Sequence, residues 1–194
     1  AIAERARSRG LGVHLDGARI WNASAKTGLS VAELAAPFDT VSICFSKGLG
    51  APVGSALCAP RDWIERARTL RKRWGGGMRQ AGILAAGALV ALEHHRERLG
   101  EDHDKARRFA EGIAKAPGAS VDLAKVETNI VNVDLEAPLT AEAVADAARL
   151  RGLAINPSGP RRLRAVMHLD VLPDDVDRAV AILAAAIADT RGKA

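Results

Sequence analysis

Residues 39–54, DTVSICFSKGLGAPVG, constrain the fold more than any other stretch of the chain. Residues 41–45 form a short apolar run rich in β-branched side chains, bounded by polar residues and glycine. Such a run reads as a strand buried on both faces, the pattern of a sheet covered by helices. The chain then bends through Ser46-Lys47-Gly48 and Leu49-Gly50-Ala51-Pro52. In open α/β sheets ligands bind at the carboxyl ends of strands, and Lys47 leaves the strand at that end. Glycine beyond it lets the backbone come close to a bound molecule. On position alone, Lys47 reads as a surface lysine in a turn.

The upstream segment, LGVHLDGAR over residues 11–19, changes that reading. Residues 13–15 are a second short strand whose end carries Asp16, Gly17, Ala18 and Arg19. Two neighbouring strands then deliver a carboxylate, an arginine and a lysine to one rim. Pyridoxal phosphate chemistry wants this set: an amine to form a Schiff base with the cofactor aldehyde, and a carboxylate to keep the ring nitrogen protonated. Taken singly, Asp16 is a turn former and Arg19 a solvated charge.

Long motifs carry a family resemblance. HLDGAR, TVSICFSKGLGAPVGS, WGGGMRQAGILAAGALVAL, ETNIVNVDL and LRAVMHLDV stand in consistent order over residues 11–172. In these the chain resembles the low-specificity L-threonine aldolases, which are fold-type-I pyridoxal phosphate enzymes. The resemblance implies that Lys47 is the Schiff-base lysine and Asp16 the partner of the pyridine nitrogen. It makes Arg19 a cofactor- and substrate-contacting residue, Arg164 the holder of the substrate carboxylate, and Lys72 an active-site neighbour. It further implies a homo-oligomer, a tetramer in the family, with an amino acid as substrate. The reaction implied is cleavage of L-threonine, L-allo-threonine and related β-hydroxy-α-amino acids to glycine and an aldehyde.

Nothing in the sequence resembles the N-terminal half of that family, which carries the phosphate-cradling loop and the ring-stacking group. The fold class expected is therefore α/β. Residues 1–101 are read as the C-terminal half of a fold-type-I large domain with an incomplete sheet, and residues 102–194 as a linking helix with a small α+β domain. A non-catalytic remnant that needs a partner, and a pyridoxal phosphate enzyme of the β-elimination or transamination type, stand as alternatives.

Charge narrows the partners. The net charge of +5 could suggest nucleic acid, but the arginines alternate with acids and alanines along helices, and no aromatic interleaving accompanies them. A solvated helix face with a bias toward small anions is the better reading. Cys44 and Cys58 lie in apolar runs without metal-type neighbours, so they read as free thiols in a reducing, cytoplasmic setting. The longest uncharged run, residues 81–92, is too short to span a bilayer. His94 and His95 are adjacent, so on a helix they diverge and share no metal; no metal site is assigned.

Along the chain, helices are expected over residues 1–9, 30–36 (capped by Ser30), 61–74, 78–99, 102–115, 141–150 (capped by Thr140) and 174–187 (capped by an acid after Pro173). Further strands are expected over residues 54–59, running antiparallel to its neighbours by the resemblance, and over 121–123, 129–133, 153–155 and 163–167. Residues 81–92 are apolar nearly all round and should be buried on most sides, with Gly82 and Gly87 marking tight packing. Arg164, set among Leu163 and residues 165–167, reads as a partly buried cation awaiting a carboxylate.

Overall fold

The structure is a computed structural model that describes residues 2–192. The chain divides into two compact units, residues 1–99 and 100–194.

The first unit runs α1 (Ile2–Arg7), β1 (His14–Gly17), α2 (Ile20–Thr27), α3 (Val31–Ala35), β2 (Thr40–Cys44), β3 (Ser55–Cys58), α4 (Arg61–Arg73) and α5 (Gly82–His94). Its sheet has the order β1-β2-β3, with β1 parallel to β2 and β3 antiparallel. A parallel pair needs a crossover, which α2 and α3 supply. Asp39 fixes the entry to β1, because its carboxylate accepts the Val13 N–H at 2.6 Å. That bond and the nearby Arg7 guanidinium hold the Asp39 carboxyl below its usual range. Ser30 caps α3 as the sequence predicts, accepting from Glu33 N while Glu33 Oε2 accepts from Ser30 N at 2.8 Å.

Register sorts the sheet's side chains. His14 lies opposite Thr40 and Asp16 opposite Ser42, so these four share one face, and Leu15, Gly17, Val41 and Ile43 share the other. The bond of 2.7 Å between His14 Nδ1 and Thr40 Oγ1 fits that sharing. The polar face is open, with His14, Asp16 and Leu57 exposed. For this reason β2 is not buried on both faces as expected: Thr40 and Val41 are buried, and residues 42–45 are half-buried.

The expected helix over 78–99 is also corrected. Residues 78–81 are not helical, and α5 stops at His94. His95 Nδ1 is 2.6 Å from Leu49 O, and Leu99 is buried with Leu49, Ala51 and Ala91, so tertiary anchors break the helix where its sequence does not. Burial of α5 on most sides is not observed either. Only Ala88 and Ala91 are buried, and Ile83 is 88% exposed. Gly87 does pack tightly, since a Cβ there would meet Pro52 Cδ at 3.0 Å, whereas a Cβ on Gly82 would meet nothing within 4 Å.

The second unit contains most of α6 (Leu99–Ile113), then β4 (Ala119–Ser120), a single turn of 3-10 helix (Leu123–Lys125), β5 (Ile130–Leu135), α7 (Ala141–Arg149), β6 (Asn156–Gly159), β7 (Arg162–Val166) and α8 (Pro173–Arg191). The strands form an antiparallel sheet of order β4-β5-β7-β6. One face, with Val131, Val133, Leu135 and Leu163, packs with Phe109, Ile113, Val144, Leu183 and Ile187 into a single core. At 25 cal/mol per Å² or so, these wholly buried aliphatic and aromatic side chains contribute on the order of 1.5–3 kcal/mol each.

A buried ion pair ties α6 to the turn before α8. Lys105 Nζ lies 2.7 Å from Asp102 Oδ1 and donates to His168 O at 2.9 Å and Val171 O at 2.8 Å. The sequence misplaces three details of this unit. The strand expected over 121–123 is the two-residue β4 followed by the 3-10 turn. The strand expected over 153–155 starts at Asn156 instead, because Ile155 turns into the core and Pro157 is tolerated on an edge strand. The acid expected to cap α8 is Asp175, which accepts the Leu172 N–H at 3.1 Å from inside the first turn, behind Pro173.

Candidate active site

Asp16 stands near the carboxyl end of β1, where its Oδ1 accepts the Ala18 N–H at 3.2 Å and closes the turn into α2. Gly17 between them is required by space: a Cβ there would lie 2.7 Å from the Ser42 carbonyl oxygen, inside the β1–β2 ladder. Arg19 opens α2, and its Nε is buried without a hydrogen-bond partner, as is Trp21 Nε1 one half-turn on. A buried donor left unpaired costs about 1–3 kcal/mol, so these two N–H groups favour an acceptor brought in from outside.

Lys47 follows β2. The bend that carries it is held by Gly50 N donating to Lys47 O at 2.9 Å and Ala51 N donating to Phe45 O at 2.9 Å. Gly48 is packed beneath, with room for no side chain: a Cβ would meet Asn22 Oδ1 at 2.8 Å and Leu99 Cδ2 at 2.9 Å. The Lys47 side chain is exposed and makes no hydrogen bond or ion pair with the described residues. Asp16 and Lys47 therefore stand at the same carboxyl-terminal edge of the parallel pair, as the two strand-end motifs predict.

Lys72 lies in the last turn of α4, exposed, with its carbonyl accepting the Gly75 N–H at 3.2 Å; no hydrogen bond among the described residues ties it to the β1–β2 edge. Arg164 lies on β7 in the second unit. The expectation of partial burial is overturned: Leu163 and Ala165 turn to the core face, and alternation puts Arg164 on the opposite, exposed face. Its guanidinium has no hydrogen-bond or ion-pair partner among the described residues. Arg162, on the same face, is instead held by Asp134 at 2.6 and 2.9 Å, and each shifts the other in the sense that favours both charges.

Sequence reasoning missed α2 and Asn22, the buried residue beneath Gly48. The helix had a visible stop in Lys26-Thr27-Gly28, with Gly28 at φ 73°, whereas Asn22 left no local signal. No cluster of three or more metal-ligating side chains occurs among the described residues, and none of their helices is long and apolar enough to cross a membrane.

The mixed sheet of the first unit and the small α+β unit that follows it in the chain have the fold of part of a fold-type-I pyridoxal phosphate enzyme. An α-aminoadipate aminotransferase of Thermus thermophilus, solved with N-(5'-phosphopyridoxyl)-L-leucine, shares this fold with a TM-score of 0.75 at 18% identity, over 100% of this chain and 54% of its own. The family is shown by sequence: residues 1–136 match the beta-eliminating lyase family, and the chain belongs to it. It is 42% identical over 177 residues to low-specificity L-threonine aldolase 1 of Arabidopsis thaliana, covering 90% of this chain and 49% of that protein. It is 45% identical over 168 residues to the low specificity L-threonine aldolase of Escherichia coli O157:H7, covering 87% and 49%. The chain thus spans about half the length of the curated relatives it matches. The family indicates pyridoxal 5'-phosphate as the cofactor.

Proposed function

We propose that the chain supplies the lysine-bearing part of a pyridoxal-phosphate-dependent carbon–carbon lyase. Its substrates are L-threonine, L-allo-threonine and related β-hydroxy-α-amino acids, and its products are glycine and an aldehyde. The observation that carries the reading is the unpartnered Lys47 amine after β2 and Asp16 near the end of β1, both at the carboxyl-terminal side of one parallel pair, in a chain 42–45% identical to threonine aldolases.

The residues present fit the cofactor chemically. Lys47 offers the amine that holds it, and Asp16 the carboxylate that keeps a proton on the ring nitrogen. The orphaned Arg19 Nε suits an anionic oxygen of cofactor or substrate. Lys72 is a neighbour of the site. Pyridoxal phosphate, when bound, supplies the electron sink that lets a bond to the substrate Cα break. In the second unit, Arg164 takes the substrate carboxylate, and its forked guanidinium suits that task better than an ammonium. The family's aldolases lead us to propose a homo-oligomer acting in the cytoplasm.

The test is reduction with borohydride in the presence of pyridoxal phosphate, followed by peptide mass mapping. A pyridoxyl group on Lys47, lost in Lys47→Ala, supports the reading. Formation of glycine and acetaldehyde from L-threonine separates it from β-elimination, which releases ammonia and a keto acid. A colourless protein that never labels at Lys47 supports a second reading, a non-catalytic element that needs a partner. That reading is favoured by the uncovered apolar side chains of the first unit, with Trp74 86% and Ile83 88% exposed.

A further inference from the structure

Two arginines share the exposed face of β7, and their cross-strand neighbours differ in charge. Arg162 lies opposite Asp134 on β5 and Gly159 on β6, and its charge is answered by the acid. Arg164 lies opposite Asn132 on β5 and Asn156 on β6, both exposed. Directly opposed residues share a face, with Cβ atoms about 4.5–5.5 Å apart. Asn132, Arg164 and Asn156 therefore make a row across three strands, with one unanswered positive charge between two neutral carboxamides.

We propose that Asn132 and Asn156 are binding residues of the same carboxylate site as Arg164, so that the three form a cradle for a monocarboxylate such as the α-carboxylate of an amino acid. The proposal rests on the reading of Arg164 given above. An ionised carboxylate has about four lone-pair sites, and a bidentate guanidinium occupies two. A carboxamide on each flank donates N–H to the remaining two. Amides also leave the guanidinium charge free. An acid at either flank would pair with Arg164 internally, as Asp134 does with Arg162, and a lysine would repel it. The row thus leaves the arginine's charge unanswered by either flanking strand.

The test is an acetate titration of the full ¹⁵N-labelled chain at constant ionic strength, following the Arg164 Nε–H and the Asn132 and Asn156 side-chain amides. Expected is a saturable shift of all three sets. The apparent Kd should weaken roughly three- to tenfold in Asn132→Leu or Asn156→Leu, and by more than tenfold in Arg164→Leu. Asn132→Asp should match Arg164→Leu, because it supplies an internal partner. These substitutions lie on an exposed face, and an unchanged backbone spectrum checks that each variant folds. If Arg164→Leu abolishes binding while both leucine variants keep the parent Kd, the cradle is overturned and the role of Arg164 stands. If the parent's Arg164 resonance shows no saturable shift, the carboxylate reading fails and the cradle with it.

Discussion

Gly17→Ala should destabilise the first unit selectively. The added methyl would stand 2.7 Å from the Ser42 carbonyl oxygen and 3.3 Å from Val41 Cγ1. The first obstacle is backbone in a parallel ladder, so relief requires β1 and β2 to part near Asp16 and Lys47. Overpacking of this kind costs about 1–3 kcal/mol, and a rigid obstacle puts Gly17→Ala toward the upper end. Gly82→Ala is the matched control: its methyl meets nothing within 4 Å at the start of α5, and alanine's helix propensity should stabilise by up to about 1 kcal/mol. Trp21, Trp63 and Trp74, the three tryptophans of the chain, all lie in residues 1–99, so their fluorescence in a urea titration reads the first unit alone. With a slope of about 1–1.5 kcal/mol/M for a unit of this size, a cost of about 2–3 kcal/mol lowers the Gly17→Ala midpoint by roughly 1.5–3 M. The reasoning fails if that midpoint stays within about 0.3 M of the parent, or if Gly82→Ala is equally destabilised.

Other outcomes follow from the same geometry. Asp39 has a lowered carboxyl pKa in the folded unit, so the unfolded chain binds its proton first as pH falls. Its stabilisation is complete above the unfolded value, near 4, and is lost as pH drops through the lower folded value. Asp39→Asn should flatten the acid limb of a fluorescence-detected stability profile, and an unaltered limb would count against the Val13 bond. Lys105→Met removes the ammonium that pairs with the buried Asp102 and donates to the carbonyls of His168 and Val171, which should cost the second unit about 3–5 kcal/mol by far-UV circular dichroism. A Lys105→Met variant as stable as the parent would refute the pairing. Ser30→Ala removes the α3 cap and should cost about 1 kcal/mol, read by the same tryptophan signal.

Most of what positions the candidate site was legible in local chemistry. Strand-end glycines, Ser30, Thr140 and the β-branched runs act over a few residues, and a sequence displays them directly. What failed depends on distant partners. Leu99 and His95 break a helix by reaching Leu49, which no local pattern announces. Residues 81–92 are apolar enough for an interior, yet burial is set by what covers a helix rather than by its composition. Apolar chain neighbours make Arg164 read as partly buried, though a strand sends neighbours to opposite sides. The pairing of Arg164 with Asn132 and Asn156 is a matter of register, which only the folded sheet supplies.

Alternation on β5 and β7 has an evolutionary consequence. Odd-numbered positions from Val131 to Leu135 and from Leu163 to Ala165 fill the interior, and even-numbered ones from Asn132 to Asp134 and from Arg162 to Arg164 write the outer surface. Point changes can therefore alter the charge that surface presents while the interior drifts separately. A single-residue insertion or deletion within either strand does the opposite: it swaps the two inscriptions, drives guanidinium groups into hydrocarbon and forfeits both at once. Divergence in this part of the lineage should accordingly proceed by substitution within the strands, with length variation confined to the turns between them.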